Sequence, residues 1–102
     1  MYIELENDNL GELINDNEKV IVQYGATWCG HCKLIKPKFI SLSTDNEDVL
    51  FVYADAEKFP GTREFCKVTN LPTFAGFVDG QLVETKVGGK VDFLQQVLDK
   101  VK

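Results

Sequence analysis

Cysteine is scarce in this chain, since only three occur among 102 residues. So few cysteines do not suggest the structural disulfide framework of a small secreted domain. Two of them, Cys29 and Cys32, lie three positions apart, a spacing typical of redox-active pairs and of metal sites. A structural zinc site needs more ligands than one pair, and the chain adds only Cys66 and its single histidine, His31. We interpret the pair as redox-active and predict no resident metal, with a metal cluster shared between two chains as the alternative.

Basic residues and long hydrophobic runs are also in short supply. The chain has 11 Lys and Arg against 16 Asp and Glu, which gives a net charge of −5. Because phosphate binding needs a basic surface, this balance predicts no nucleic-acid partner. No apolar run approaches the ~20 residues of a membrane-spanning helix, so no membrane partner is predicted. Residues 1–6 have neither a basic stretch nor a long apolar one, which predicts no signal peptide and favours a cytoplasmic protein.

The rest of the composition is that of a folded domain. Hydrophobic residues make up 44% of the chain and seven residues are Phe, which argues against disorder. A chain of 102 residues is long enough for one domain with its own core. No repeat, linker or low-complexity segment divides it, so we expect a single domain over residues 1–102, acting as a monomer.

Apolar runs of strand length recur along the chain. The pattern predicts strands at residues 2–5, 20–26, 49–54, 73–78 and 81–87. The second of these runs is apolar almost throughout, as expected of a strand that is buried on both faces. Asp79-Gly80 separates the last two strands and is a strong signal of a hairpin turn.

Helical patterns fill the gaps between these strands. A first helix is predicted to be capped by Asn7 or Asp8. A second begins at about Cys29 and contains Pro37, a third restarts at Pro60, and an amphipathic helix closes the chain. The order β-α-β-α-β-α-β-β-α implies parallel pairing with right-handed crossovers, followed by an antiparallel hairpin. We therefore predict an α/β fold with a central mixed five-stranded sheet and helices on both faces.

The cysteine pair lies where a predicted strand turns into a helix. Residues i and i+3 of a helix are close enough to interact, and a disulfide needs Cα atoms roughly 4.4–6.8 Å apart. If the helix begins near Cys29, Cys29 and Cys32 can change between dithiol and disulfide without a large backbone movement. Gly30 keeps the turn uncrowded. A helix N-terminus stabilises a thiolate, which favours Cys29 as the attacking sulfur and Cys32 as a more buried, resolving thiol.

Several short motifs have a joint spacing that is highly specific. They are Trp28-Cys29-Gly30-His31-Cys32-Lys33, Pro37, Pro60-Gly61-Thr62, Leu71-Pro72-Thr73, Asp79-Gly80 and Val87-Gly88. With them the chain resembles the thioredoxin family over essentially its whole length. The resemblance implies the thioredoxin fold, a cis peptide bond between Leu71 and Pro72, and a thiol–disulfide oxidoreductase that works through Cys29 and Cys32. It implies no bound cofactor, disulfide-containing proteins as substrates, and a separate reductase, similar to thioredoxin reductase, that restores the dithiol.

Four positions depart from the pattern that thioredoxins usually show. His31 stands where they carry proline and matches the Cys-Gly-His-Cys motif of protein disulfide isomerase domains. Gln23 occupies the place of a buried acid, Tyr53 that of its lysine partner, and Gly25 that of a second tryptophan. We expect Gly30, His31 and Gln23 to tune the redox chemistry. When protonated, His31 can stabilise a neighbouring thiolate, and the alternative is a solvent-facing turn residue with little effect.

The resemblance also implies a substrate surface beside the first cysteine. Its expected members are Trp28, Leu71, Pro72, Val87 and Gly88. An extended substrate segment would add there by strand-like hydrogen bonding, and ordinary loop structure is the alternative. Trp28 directly precedes a cysteine that is expected to be exposed, so we interpret it as substrate surface rather than core.

These observations together predict a cytoplasmic reductase of protein disulfides. An oxidase or isomerase is the enzyme alternative and is favoured by His31, whereas the absent signal peptide favours reduction. A binding module or accessory subunit, using the same surface without redox turnover, is the alternative of another class. Cys66 lies beside Phe65 and Val68 in a helical pattern and is interpreted as a buried structural thiol rather than a regulatory one.

Overall fold

The computed structural model describes all 102 residues, which form five strands and three α-helices. The strands are β1 (Tyr2–Glu4), β2 (Lys19–Gly25), β3 (Leu50–Asp55), β4 (Thr73–Val78) and β5 (Gln81–Val87). The helices are α1 (Leu10–Asp16), α2 (Gly30–Asp45) and α3 (Val91–Val101), with a short 3₁₀ helix at Pro60–Glu64. The predicted order is confirmed. The bounds of β4 and β5 match the prediction, and those of β1, β2 and β3 differ from it by one residue.

The five strands form one mixed sheet in the order β1-β3-β2-β4-β5. Strand β3 pairs in parallel with β1 and β2, whereas β4 runs antiparallel to β2 and β5. One core lies between the sheet and helices α2 and α3, and the other lies between the sheet, α1 and the segment around the 3₁₀ helix. The predicted mixed sheet with helices on both faces is therefore confirmed.

Strand β2 shows how the two cores are filled. Val20, Val22 and Tyr24 pack into the core on the side of α1, and Ile21 packs into the core that contains α2 and α3. Gln23 shares the face of Ile21, because alternate residues of a strand point to the same side. All of these residues are buried. A polar amide is thus enclosed between the sheet and α2.

The turn between β4 and β5 has the backbone conformation that its sequence predicts. Asp79 and Gly80 both have positive φ angles, 51° and 81°. Positive φ at both central residues is the requirement of a type I′ hairpin turn, which Asp-Gly satisfies at low cost. The amide of Asp79 also donates a hydrogen bond to the carbonyl oxygen of Glu18 across 2.8 Å. The predicted hairpin is confirmed.

The start of α1 differs from its prediction. Asn9 is the N-cap, in place of Asn7 or Asp8, and its side chain makes no capping hydrogen bond. The carboxylate of Asp8 instead accepts a hydrogen bond from the amide of Gly61 across 2.9 Å. Asp8 therefore ties the start of α1 to the 3₁₀ helix, and this long-range contact takes the place of a local cap.

The third predicted helix is wrong in length and type. Pro60 opens a helical segment as expected, but the segment is a 3₁₀ helix that ends at Glu64. Gly61 lowers the helix propensity of so short a stretch. The side chain of Phe65 is 37% exposed, so it does not belong to the apolar side of a longer helix.

Helix α2 is the longest element of the chain, at 16 residues. Pro37 lies inside it, as predicted, and the helix nevertheless continues to Asp45. Ile35 and Phe39 pack into the core beneath it, and Leu42 is partly buried against the same core. Neither α2 nor any other helix combines the length and the apolarity needed to cross a membrane.

Candidate active site

The two neighbouring cysteines form a disulfide at the start of α2. Strand β2 ends at Gly25, a short turn follows, and Cys29 is the N-cap of the helix. Cys29 and Cys32 are joined by the only disulfide of the chain, with their Cα atoms 5.3 Å apart. This is the strand–turn–helix arrangement that the sequence predicts.

Both sulfur-bearing residues are buried in the disulfide form. Cys29 is 4% exposed and Cys32 is 0% exposed, so the expected exposure of Cys29 is wrong for this state. The predicted order, with Cys32 the more buried of the two, is confirmed. Both pack with Ala26, and Leu71 packs against this small cluster, which explains the low exposure of Cys29.

One hydrogen bond distinguishes the two sulfurs. The backbone amide of Cys32 donates to Sγ of Cys29 across 3.1 Å, so this sulfur caps the helix. The partial positive charge of a helix N-terminus favours an anion at that place. The arrangement therefore favours a thiolate on Cys29 once the disulfide is reduced.

The two residues between the cysteines differ in their surroundings. A Cβ atom added at Gly30 would meet nothing within 4 Å. His31 lies on the first turn of α2 and is exposed. A Cβ atom added at Gly89 would lie 3.3 Å from Cβ of His31 and 3.7 Å from Cγ of Pro72. His31 and Pro72 therefore both lie next to Gly89, which has no side chain.

The structure brings the expected substrate residues together beside the disulfide. The peptide bond between Leu71 and Pro72 is cis, as the resemblance implies. The amide of Gly88 donates a hydrogen bond to the carbonyl oxygen of Pro72 across 2.9 Å, which joins the two loops. Val87 is exposed, and Leu71 packs against the cysteine cluster. Their adjacency is clear, and their role in substrate binding stays a prediction.

Trp28 is surface rather than core. Its side chain is 67% exposed. The indole Nε1 donates a hydrogen bond to Oε1 of Glu57 across 2.7 Å, which orients the exposed ring. The sequence gives no sign of Glu57, because the two residues come from different loops. Asp55 supports that loop by accepting hydrogen bonds from the amides of Glu57 and Lys58.

Gln23 lies directly behind the second cysteine. Its Nε2 donates a hydrogen bond to the carbonyl oxygen of Cys32 across 3.1 Å. Gln23 pairs in register with Tyr53 on β3. A Cβ atom added at Gly25 would overlap the hydroxyl of Tyr53. The departures at Gly25 and Tyr53 are thus one feature, because the glycine leaves room for the phenol.

A cavity of about 370 Å³ opens beside Tyr53. Nζ of Lys36 lies 4.4 Å from the centre of the Tyr53 ring and 2.7 Å from Oε1 of Glu4. Burial raises the pKa of Tyr53, so its hydroxyl stays protonated in the neutral range. This cavity is not foreseen from the sequence, since its lining comes from three segments that are far apart in the chain.

The third cysteine is remote from this site. Cys66 is buried, as predicted, in the core on the side of α1, but it lies in a bend after the 3₁₀ helix and not in a helix. Burial raises the pKa of its thiol. The chain has no group of three or more His, Cys, Asp or Glu side chains that could hold a metal ion.

The geometry now defines a class of protein. A disulfide caps the first turn of α2, a cis proline directly precedes β4, and the fold around them is built on a five-stranded mixed sheet. A cysteine pair at a helix N-terminus can exchange with other disulfides, because its first sulfur is stabilised as a thiolate. The protein is a thiol–disulfide oxidoreductase whose redox group is its own Cys29–Cys32 pair.

Comparison with known proteins gives the family. The thioredoxin family profile matches residues 1–100, so the chain belongs to the thioredoxin family. It is 37% identical to mitochondrial thioredoxin-3 of Saccharomyces cerevisiae over 84 residues, which cover 82% of this chain and 66% of the yeast protein. It is also 37% identical to human thioredoxin over 82 residues, which cover 80% of this chain and 78% of the human one. The match spans just under two thirds of the yeast relative and more of the human one.

Solved structures agree with this assignment. The crystal structure of reduced thioredoxin pre-protein from Schistosoma mansoni has a TM-score of 0.90 and 34% identity, covering 99% of this chain and 98% of that one. Oxidised mitochondrial thioredoxin 3 from Saccharomyces cerevisiae has a TM-score of 0.85 and 34% identity, covering 96% and 94%. The predicted thioredoxin fold is confirmed. As in that family, the reaction is dithiol–disulfide exchange and the redox-active disulfide needs no bound cofactor.

Proposed function

We propose that this protein reduces disulfides in other proteins, with Cys29 attacking and Cys32 resolving. The observation that carries the assignment of roles is the hydrogen bond from the amide of Cys32 to Sγ of Cys29. The Cys29 thiolate attacks one sulfur of the substrate disulfide, and the other substrate sulfur leaves as a thiolate and takes up a proton. Cys32 then attacks Sγ of Cys29, which releases the second substrate thiol and restores the Cys29–Cys32 disulfide.

In this proposal the substrate binds over a surface that we call the substrate patch. Its members are Trp28, Leu71, Pro72, Val87 and Gly88. Trp28 and Val87 support it by their exposure, and the hydrogen bond between Gly88 and Pro72 supports it by fixing the two loops. Pro72 itself is buried, and its carbonyl oxygen already accepts from Gly88, so exposed apolar contact comes from Trp28 and Val87. An extended peptide segment fits a site of this kind by strand-like pairing beside an apolar surface.

In this proposal His31 raises the reduction potential of the Cys29–Cys32 pair. The Cys-Gly-His-Cys motif at positions 29–32 resembles that of protein disulfide isomerase domains. A cation beside Cys29 stabilises the thiolate and hence the dithiol form, which raises the reduction potential. We therefore place the potential above that of a thioredoxin with proline at this position. Oxidation or isomerisation of disulfides is the second candidate function, and His31 is the residue that favours it.

Turnover needs an electron donor, and we propose a separate reductase of the thioredoxin-reductase kind. The protein itself would act as a monomer in the cytoplasm. A reducing compartment fits a chain whose third cysteine, Cys66, is a free buried thiol. The yeast relative is mitochondrial, so fractionation of cells that express the full-length protein would decide between these two compartments.

A reduction assay tests this function. The wild type and a Cys29→Ser/Cys32→Ser variant would be compared for reduction of a model protein disulfide, with dithiothreitol supplying electrons. We expect strong acceleration by the wild type and none by the variant. Equal activity would contradict the reductase, and tight substrate binding without turnover by both proteins would support the binding-module alternative. Titration of the wild type against glutathione would separate a reductase from an oxidase.

A further inference from the structure

A buried polar atom beside the cysteine pair has no hydrogen-bond partner in the protein. Nε2 of Gln23 donates to the carbonyl oxygen of Cys32 across 3.1 Å. The other polar atom of the same amide, Oε1, is buried and accepts no hydrogen bond. Gln23 and Cys32 are both completely buried. Because an enclosed and unsatisfied carbonyl oxygen is unfavourable, a donor is expected close by.

The residue that Gln23 already contacts, Cys32, can supply a donor in only one redox state. The hydroxyl of Tyr53, the register partner of Gln23, lies against Gly25 instead. The backbone amide of Cys32 already donates to Sγ of Cys29. The sulfur of Cys32 carries no hydrogen while it is part of the disulfide. Reduction adds a hydrogen to this sulfur, and a thiol is a weak hydrogen-bond donor.

We propose that Gln23 is a positioning residue of the redox cycle, whose Oε1 accepts a hydrogen bond from the Cys32 thiol in the reduced protein. The inference rests on the proposed function, in which Cys32 waits as a neutral thiol. Nε2 holds the amide against the carbonyl of Cys32 in both redox states, whereas the second hydrogen bond forms only on reduction. Gln23 therefore stabilises the dithiol relative to the disulfide.

Gln23 holds the resolving thiol in this proposal but does not take its proton. A neutral amide is not a base in the working pH range. When Cys32 attacks, a bond forms between its sulfur and Sγ of Cys29, and the bond from Cys29 to the substrate sulfur breaks. The departing substrate sulfur takes the proton that Cys32 gives up. Two electrons have then passed from the dithiol to the substrate, and Oε1 has lost its donor again.

Nuclear magnetic resonance tests the redox-dependent hydrogen bond directly. The ¹³Cδ shift of Gln23 would be measured in the oxidised wild type, the reduced wild type and a Cys32→Ala variant. We expect the reduced wild type to differ from the oxidised one, and Cys32→Ala to resemble the oxidised protein because it has no thiol. An unchanged shift on reduction would overturn the proposal. A ¹³Cδ shift in Cys32→Ala equal to that of the reduced wild type would also overturn it, because the donor would then be another group, such as a water molecule.

The reduction potential provides the second readout. Gln23→Met has a similar volume and replaces the amide with a thioether, which is only a weak acceptor. We expect its equilibrium with glutathione to move toward the disulfide by about fivefold, which corresponds to a reduction potential lower by about 20 mV. Gln23→Glu is the rescue control. A buried Glu stays protonated above its usual range, so at about pH 5 it keeps both a donor and an acceptor, and the wild-type potential measured at that pH should return. An unchanged potential in Gln23→Met, or no rescue by Gln23→Glu, would contradict the proposal.

These measurements can fail without the proposed function failing. Reduction of a model protein disulfide by the wild type is a separate assay, and it needs no hydrogen bond from Cys32 to Gln23. The ¹³Cδ comparison keeps Gln23 unaltered, so it remains decisive if Gln23→Met does not fold.

Discussion

Sγ of Cys29 accepts a hydrogen bond from the backbone amide of Cys32, so the two redox residues are not equivalent. The first sulfur lies at the N-terminus of α2, where the helix favours negative charge. The second belongs to the first turn of the helix and is completely buried. We propose from this asymmetry that the first sulfur attacks and the second resolves.

Replacing His31 should make the protein more reducing. His31→Pro removes a side chain that can carry positive charge beside Cys29, which destabilises the thiolate and the dithiol form. We expect the equilibrium constant with glutathione to change by roughly three- to tenfold, or about 15–30 mV toward lower potential. His31→Gln is the matched control, because it removes the charge and keeps the backbone amide. An unchanged or higher potential in both variants would show that His31 does not act through its charge.

Gln23→Asp should add a second ionisation to the pH–rate profile of disulfide reduction. A desolvated carboxylate has a raised pKa, so it titrates above the range of an exposed Asp. The wild type should follow one ionisation, that of Cys29, because Gln23 and Tyr53 supply no base near neutral pH. Gln23→Asn is the neutral control. A second ionisation in the wild type would show that another group does the work of the buried acid.

The same substitution should make stability depend on pH. A buried Asp with a raised pKa in the folded state is protonated in both states below its unfolded pKa of about 3.9, and there it does not lower the free energy of unfolding through its charge. The free energy of unfolding then falls as the pH rises through the folded pKa. Denaturant melts of Gln23→Asp should therefore show a falling free energy of unfolding between acid and neutral pH. A curve parallel to that of Gln23→Asn would mean that the carboxylate reaches solvent.

Cys66 should contribute to alkaline unfolding. Burial raises the pKa of its thiol, so the folded state holds this proton more tightly than the unfolded state. The free energy of unfolding should then fall as the pH rises above about 8.5, the ordinary thiol value. Melts of the oxidised protein isolate this group, since the other two cysteines are bonded. Cys66→Ala should have a flatter profile up to about pH 10, where buried tyrosines begin to contribute, and equal slopes would contradict the assignment.

Gly76 should be required for the packing of α3 against the sheet. A Cβ atom added there would lie 2.5 Å from Cγ2 of Val101 and 3.0 Å from Cγ1 of Val97. Gly76→Ala should therefore destabilise the protein by about 1–3 kcal/mol through overpacking. Gly30→Ala is the control, because nothing lies within 4 Å of a Cβ atom at that position. Equal melting temperatures for the two variants would mean that α3 shifts at little cost.

Local signals account for the parts of the fold that the sequence predicts well. Strands β4 and β5 have their predicted bounds, because Asp79-Gly80 fixes the hairpin between them. The start of α2 is also predicted, since the apolar strand before it and the cysteine spacing place it closely. The predictions of the first cap and of the third helix are wrong because they depend on a long-range contact. The carboxylate of Asp8 accepts a hydrogen bond from the amide of Gly61, and no local sequence pattern indicates that contact.

The site is predicted less completely than the fold. The spacing of Cys29 and Cys32 predicts a redox-active pair. The absence of a hydrogen-bond partner for Oε1 of Gln23 could not be predicted, because it results from how β2 packs against α2. The fit between Gly25 and Tyr53 likewise appears only when the register of β2 and β3 is known. Each of these relationships joins residues that a single sequence shows as unrelated.

Trapping of the mixed disulfide tests the central claim most directly. Cys29→Ser and Cys32→Ser would each be incubated with a disulfide substrate and analysed by non-reducing mass spectrometry, with Cys66→Ala included in both to leave one thiol. Cys32→Ser should accumulate a covalent complex through Cys29, and Cys29→Ser should form none and show no reductase activity. Alkylation of the reduced wild type should likewise modify Cys29 first. A complex formed only by Cys29→Ser, or faster alkylation of Cys32, would reverse the assigned roles.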